Sequence, residues 1–189
     1  MKEQKLSFLE DIDRSWTLFL DRDGIINRKI ENGYVLNLQM FEFIEGALEA
    51  LSILANIFNR IIIVTNQRGI GKGLMSEKDL ENIHNYMLEK VVQAGGRIDA
   101  IFYCPHDSEK EQCNCRKPKI GMALKAKEMF PEIDFRKSIV VGDSLSDMEF
   151  AIGIGGIGIC VSNNMPNNLN YLQFENLKEM VEFLSEEER

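Results

Sequence analysis

Short apolar runs punctuate the chain, and a polar or reactive residue stops each of the first four. Thr17-Leu18-Phe19-Leu20 runs into Asp21, Ile61-Ile62-Ile63-Val64 into Thr65, Ile98 to Tyr103 into Cys104, and Ser138 to Val141 into Gly142-Asp143. A fifth run, Ile157 to Val161, follows a glycine cluster. Continuous apolar stretches of this length are the pattern of strands covered on both faces. Helical spacing fills the gaps. Ser76-Glu77-Lys78-Asp79 is a capping-box pattern, and behind it Leu80, Ile83, Met87 and Val91 fall on one helical face. Gly46 to Ile57, Gly121 to Phe130 and Asn176 to Leu184 are spaced similarly. Strand-helix alternation predicts an α/β fold with a doubly wound parallel sheet and right-handed crossovers. With no internal repeat and no low-complexity linker, residues 1–189 are expected to form one domain, leaving no room for a large cap. Sheets of this kind bind ligands beyond the carboxyl ends of their strands, which is where Asp21, Asp23, Thr65 and Asp143 fall.

Composition narrows the partners. Of 189 residues, 44% are hydrophobic and 28% charged, and 22 basic against 30 acidic side chains leave a net charge of −8. Nucleic acid is a poor match, because phosphate-backbone binding needs clustered Lys and Arg. A small phosphorylated substrate needs only a few local cations and a metal. Met1 to Trp16 is broken by Lys2, Glu3, Lys5, Glu10, Asp11 and Asp13, so it lacks a signal-peptide core, and no run reaches membrane-span length. A cytoplasmic, membrane-free setting with reduced cysteines is the expectation.

The polar stops form a chemical set. In Asp21-Arg22-Asp23-Gly24, two acids one residue apart address one point once the chain turns, and Gly24 permits the turn. One carboxylate can attack phosphorus while the other handles the leaving-group proton. Asp143 adds a hard oxygen ligand, and few carboxylates with open positions describe Mg²⁺ better than a closed calcium cage. Lys117 offers a fixed positive charge and Thr65 a hydroxyl for a phosphoryl oxygen. Taken singly, each has an ordinary reading: an exposed turn, a strand end, a solvated lysine. Four in order, three of them at strand ends, point to phosphoryl transfer.

Cys104-Pro105-His106 and Cys113-Asn114-Cys115 place three thiols and one imidazole within twelve positions. That set matches a closed, structural zinc site; free cysteines or a disulfide are the alternatives, the latter disfavoured in a reducing compartment. Cys160, inside the last strand, reads as a small buried hydrophobe. Gly153 to Gly158 matches GxGxxG formally, but it follows a helix and precedes a strand, the reverse of a dinucleotide site. His84, beside Ile83 on a helix, is expected to be structural or exposed.

DxDG, a strand-end Thr, Lys and GDxxxD, in this order, resemble the four motifs of haloacid dehalogenase phosphatases. More closely, DRDGxxN, TNQxGIxxG (Thr65 to Gly73), CPH, CxCRKPKxGM (Cys113 to Met122) and GDxxxDM resemble the heptose 1,7-bisphosphate 7-phosphatase and histidinol-phosphatase families. The resemblance implies a Rossmann-like fold, catalytic Mg²⁺ and a phosphoaspartate on Asp21, with Asp23 as acid/base. It further implies that Thr65 and Lys117 clamp the phosphoryl group. Asp21, the backbone carbonyl of Asp23, and Asp143 would hold magnesium, and Asp147 would orient the metal shell or Lys117. Asn27, Tyr34, Asn66, Gln67 and Arg116 are implied substrate contacts, while Ser144 departs from the Lys of some heptose members. Zinc on Cys104, His106, Cys113 and Cys115 fits the same resemblance. The expected reaction is loss of the C7 phosphate from D-glycero-D-manno-heptose 1,7-bisphosphate by a monomeric enzyme. Histidinol phosphate is the rival substrate, favoured by the short stretch between His106 and Cys113. A catalytically silent zinc-clipped interaction module is the rival of another class.

Overall fold

A computed structural model describes residues 12–162 and 171–187. Six strands, β1 (Thr17–Leu20), β2 (Arg60–Asn66), β3 (Ala100–Cys104), β4 (Ser138–Gly142), β5 (Ile157–Val161) and β6 (Leu172–Phe174), form one parallel sheet in the order β3-β2-β1-β4-β5-β6. Among the described residues six α-helices accompany them: α1 (Ala47–Ile57), the single turn α2 (Arg68–Gly71), α3 (Glu77–Gln93), α4 (Gly121–Met129), α5 (Leu145–Ile154) and α6 (Leu177–Glu187).

Strand alternation explains why both faces are covered. Leu18, Leu20, Ile61, Ile63, Ile139, Val141, Ile159 and Val161 point to one side, where α1, α3 and α6 bury Leu51, Leu54, Ile83, Met87 and Met180. Phe19, Ile62, Val64 and Val140 point to the other, against Met122, Ala123 and Ala126 of α4 and Phe150 and Ala151 of α5. Phe19 meets Phe150 edge to face, with centroids 6.3 Å apart. Each such fully buried Leu, Ile or Phe contributes about 1.5–3 kcal/mol, so the central strands are the stable platform. Every residue of β1 and β4 is buried.

The predicted runs coincide with the central strands and fail at the edges. β3 starts two residues later than its apolar run and is half-exposed, because among the described residues no strand pairs with its outer side. The three-residue β6 and the one-turn α2 are absent from the sequence reading, being too short to carry a periodicity. The Ser76 capping box is present: its hydroxyl accepts from the Asp79 amide at 3.1 Å while the Asp79 carboxylate accepts from the Ser76 amide at 2.8 Å. Gly46 caps α1 with φ 78°. Among the described residues no helix is long and apolar enough to cross a membrane.

This strand order reverses direction between β1 and β4, which pair in parallel with Leu20 beside Val141. The Asp21 amide extends the ladder to Val141 O at 2.9 Å. The chains leaving β1 and β4 therefore separate on either side of a crevice at their carboxyl ends, the switch point of such sheets.

Candidate active site

Asp21, Asp23, Tyr34, Thr65, Asn66, Gln67, Arg116, Lys117 and Asp143 all line one open cavity of about 270 Å³ at that switch point. β1 delivers Asp21 and Asp23, β2 ends in Thr65 and Asn66, and the turn after β4 delivers Asp143. The loop between Cys113 and α4 brings Arg116 and Lys117. Gly24 is required here twice over. Its φ is 93°, and a Cβ on it would lie 2.3 Å from Asp143 Oδ2. Only a residue without a side chain lets the two acidic loops come this close.

Lys117 is the electrostatic hub. It is 4% exposed, and its Nζ lies 2.9 Å from Asp21 Oδ1, 2.5 Å from Asp147 Oδ1 and 2.7 Å from Val64 O. Three ammonium donors thus face three acceptors. Burial alone would lower the Lys117 pKa, but the two carboxylates overcome it and raise it. Asp147 is fully buried and works in two directions. Oδ1 meets Lys117, while Oδ2 accepts from the Ser144 amide at 3.1 Å and the Ser144 hydroxyl at 2.5 Å in the capping box of α5. Burial pushes the Asp21 carboxyl up to about 7, against the pull of Lys117.

Asp23 is treated differently. Burial raises its pKa, but the Arg22 charge and hydrogen bonds from Arg22, Asn27 and Gln67 outweigh that and hold it below the ordinary carboxylate value. Arg22 Nη2 forks onto both Asp23 oxygens at 2.8 and 3.0 Å. Asn27 Nδ2 donates to Oδ1 at 2.9 Å and Gln67 Nε2 to Oδ2 at 2.8 Å. The Gln67 amide also reaches Thr65 Oγ1 at 2.9 Å, leaving the threonine proton to point elsewhere.

Residues grouped in the sequence as substrate contacts therefore separate into two sets. Asn27 is fully buried and turned onto Asp23, Gln67 spans Asp23 and Thr65, and Asn66 brackets the Lys117 backbone, accepting from its amide at 3.0 Å and donating to its carbonyl at 3.3 Å. Tyr34 and Arg116 face the cavity. Among the described residues Arg116 Nη1 is buried with no hydrogen-bond partner, a donor waiting for an acceptor. Lys29 was missed by sequence reasoning. Its Nζ lies 2.6 Å from Asp143 Oδ2 in the same cavity, and no local pattern marks a lysine six residues after the DxD pair.

Asp21, Asp143 and Asp147 each turn one carboxylate oxygen to within 4.8 Å of the others, and Asp143 Oδ1 is buried without a hydrogen-bond partner. Burial raises the Asp143 pKa as well, although Lys29 opposes this. Crowded, desolvated oxygens of this kind fit a small hard cation.

A second cluster lies at the end of β3. His106 Nδ1 is 3.1 Å from Cys115 Sγ and 3.5 Å from Cys104 Sγ, and Cys104 Sγ is 3.0 Å from Cys115 Sγ and 3.6 Å from Cys113 Sγ. None of the cysteines forms a disulfide. Four soft donors within 4.8 Å match the ligand set and spacing of a closed tetrahedral zinc site, whose sulfurs stand about 2.3 Å from the metal. The neighbouring turn is braced from outside: Arg68 of α2 pairs with Asp107 at 2.5 Å and Glu109 at 2.7 Å, and the Gly71 amide donates to Pro105 O at 2.8 Å.

Comparison with known proteins agrees with this geometry. Residues 13–158 match the family model described as polynucleotide kinase 3 phosphatase. The chain is 40% identical over 172 residues to the D-glycero-alpha-D-manno-heptose-1,7-bisphosphate 7-phosphatase of Campylobacter jejuni, covering 90% of this chain and 96% of that one. It is 41% identical over 156 residues to the D-glycero-beta-D-manno-heptose-1,7-bisphosphate 7-phosphatase of Vibrio cholerae, covering 79% and 82%. Among solved structures, the D,D-heptose 1,7-bisphosphate phosphatase of B. bronchiseptica, complexed with magnesium and phosphate, superimposes with a TM-score of 0.81 at 30% identity, covering 91% of this chain and 99% of that one.

Proposed function

This chain belongs to the heptose-1,7-bisphosphate 7-phosphatase family of haloacid dehalogenase-type phosphatases, and from that premise we propose that it removes the C7 phosphate of a D-glycero-D-manno-heptose 1,7-bisphosphate. The observation that carries the reading is the cation pattern of the cavity. Lys117 is committed to Asp21 and Asp147 and Lys29 to Asp143, while Arg116 lines the same space with its Nη1 unpartnered among the described residues. A guanidinium donor left over at the cavity, beyond the lysine that steadies Asp21, suits a substrate that carries a second phosphate.

In this reading Asp21, steadied by Lys117, attacks phosphorus, and Asp23, ionised in the free site, takes up a proton from solvent as the phosphate dianion enters and delivers it to the departing sugar oxygen. Asp23 then takes a proton from the water that hydrolyses the phosphoaspartate, returning Asp21 to its carboxylate. The Thr65 hydroxyl and the Lys117 ammonium neutralise the phosphoryl oxygens as charge redistributes. Asp21, Asp143 and the backbone carbonyl of Asp23 would hold Mg²⁺, which when bound adds positive charge at those oxygens. A zinc ion on Cys104, His106, Cys113 and Cys115 would fix the loop that presents Arg116 and Lys117 without entering the reaction.

The test is phosphate release from both anomers of the bisphosphate and from histidinol phosphate, with Mg²⁺, after EDTA, and after Mg²⁺ is returned. The expected result is a preference for the heptose bisphosphate, lost with EDTA and restored by Mg²⁺. Faster release from histidinol phosphate would overturn the substrate, and EDTA-insensitive release would overturn the metal.

A further inference from the structure

Arg22 stands between the two acids of the DxD pair, yet its side chain turns away from the cavity and is fully buried. A buried guanidinium needs acceptors, and Arg22 finds them on two sides. Nη2 is spent on both oxygens of Asp23, and Nη1 lies 3.3 Å from Nε2 of His84. His84 belongs to α3, on the layer that covers the sheet, and is itself only 7% exposed. Its ring packs edge-on against Tyr103 at the end of β3, with centroids 6.1 Å apart. The imidazole is thus clamped by helix and strand and presents one lone pair to the arginine. Burial, and then the Arg22 charge, hold the His84 pKa down to about 3, so the ring is a neutral acceptor. Donation from Arg22 to Nε2 leaves the ring proton on Nδ1.

We infer that His84 is a positioning residue for the reaction: by accepting from Arg22 it fixes the fork that aims the Asp23 carboxylate at the leaving group. A guanidinium is planar, so seating Nη1 on His84 fixes the plane in which Nη2 meets Asp23. Without that acceptor Nη1 joins Nε, which already lacks a partner, as a second unsatisfied buried donor. The arginine then rotates to find another acceptor, and Asp23 loses one of its anchors. Asn27 and Gln67 still hold the carboxylate, so it is misaimed rather than freed.

The inference rests on the assignment of Asp23 as the acid, and the experiment keeps the two apart. His84→Phe preserves a ring against Tyr103 and removes the acceptor; His84→Gln returns an acceptor oxygen. The readout is kcat/KM, which reports phosphoryl transfer to Asp21 but not the later hydrolysis. Two substrates are compared: heptose 1,7-bisphosphate, whose alkoxide leaving group needs a proton, and p-nitrophenyl phosphate, whose phenolate does not. For His84→Phe, kcat/KM on the bisphosphate should fall about a hundred-fold, the cost of a misplacement near 1 Å, with the loss in kcat rather than KM. The aryl phosphate should stay within about twofold, because general-acid assistance is not at stake. His84→Gln should recover most of the loss. Equal losses on both substrates, or no rescue by Gln, would reduce His84 to a packing residue and overturn the inference. Wild-type protein inactive on the bisphosphate would instead sink the proposed substrate, and an Asp23→Asn variant that did not separate the two substrates would sink the acid assignment.

Discussion

Arg116→Ala is expected to lower activity on the bisphosphate while leaving stability almost unchanged. The guanidinium is half-buried at the cavity, and its Nη1 is shut off from solvent with nothing to bond to. A buried donor left unsatisfied costs about 1–3 kcal/mol, so truncation relieves a penalty while giving up the packing of the aliphatic stem. The two nearly cancel, and the melting temperature should hold or rise slightly. Binding is another matter. A hydrogen bond to a charged group contributes about 1.5–3 kcal/mol, and a guanidinium can grip a phosphate through two of them. Losing that grip on the second phosphate should lower kcat/KM for the bisphosphate about ten- to a hundred-fold, at about 1.4 kcal/mol per decade. An aryl monophosphate, with no second phosphate, should be hydrolysed almost as before. The assay is a pair of kcat/KM values and a thermal melt on each protein. An equal loss on both substrates would show that Arg116 supports the reacting centre, and a melting temperature lowered by several degrees would show that Nη1 has a partner within the protein. Either result refutes the reasoning.

Three further outcomes follow from the same geometry. Asp21→Asn should abolish phosphate release while leaving the circular dichroism spectrum unchanged, since an amide is a poor nucleophile and Lys117 keeps Asp147 and Val64 O as acceptors; near wild-type turnover in a folded protein would refute the nucleophile. Cys113→Ser should lose zinc by elemental analysis and melt earlier, the loss being smaller than the roughly 10 kcal/mol of a structural zinc because the sheet has its own buried core on both faces; protein purified without chelators and free of zinc would count against the site. His84 gives a pH signature. The unfolded chain protonates it near 6.5 and the folded protein only near 3, so acid favours the unfolded state and stability falls as pH drops through 6.5. Denaturant titrations should show wild type losing about 1.4 kcal/mol per pH unit relative to His84→Gln below about pH 6, and parallel curves would refute a neutral His84.

Local chemistry carried much of this protein in its sequence. Apolar runs ending in Asp21, Thr65 and Gly142-Asp143 marked both the buried strands and the residues their ends would present, because the middle of a strand covered on both faces favours apolar side chains and polar ones gather at its ends. The four soft ligands Cys104, His106, Cys113 and Cys115 were legible for a similar reason, as ligand spacing is set by short loops. What tertiary structure alone decided was the meeting of side chains far apart in the chain. Lys117 falls between Asp21 and Asp147 because the order β3-β2-β1-β4-β5-β6 brings the ends of β1 and β4 together. Asn27 and Gln67 turn their amides onto Asp23, because a part-buried carboxylate needs donors, while Arg116 keeps Nη1 unpartnered at the cavity among the described residues. His84 looked like an ordinary helical residue until the α3 layer set it against Arg22, 62 positions earlier. Periodicity reports which face of an element is buried; which partner awaits it there is settled by the packing of layers, and no local pattern encodes that.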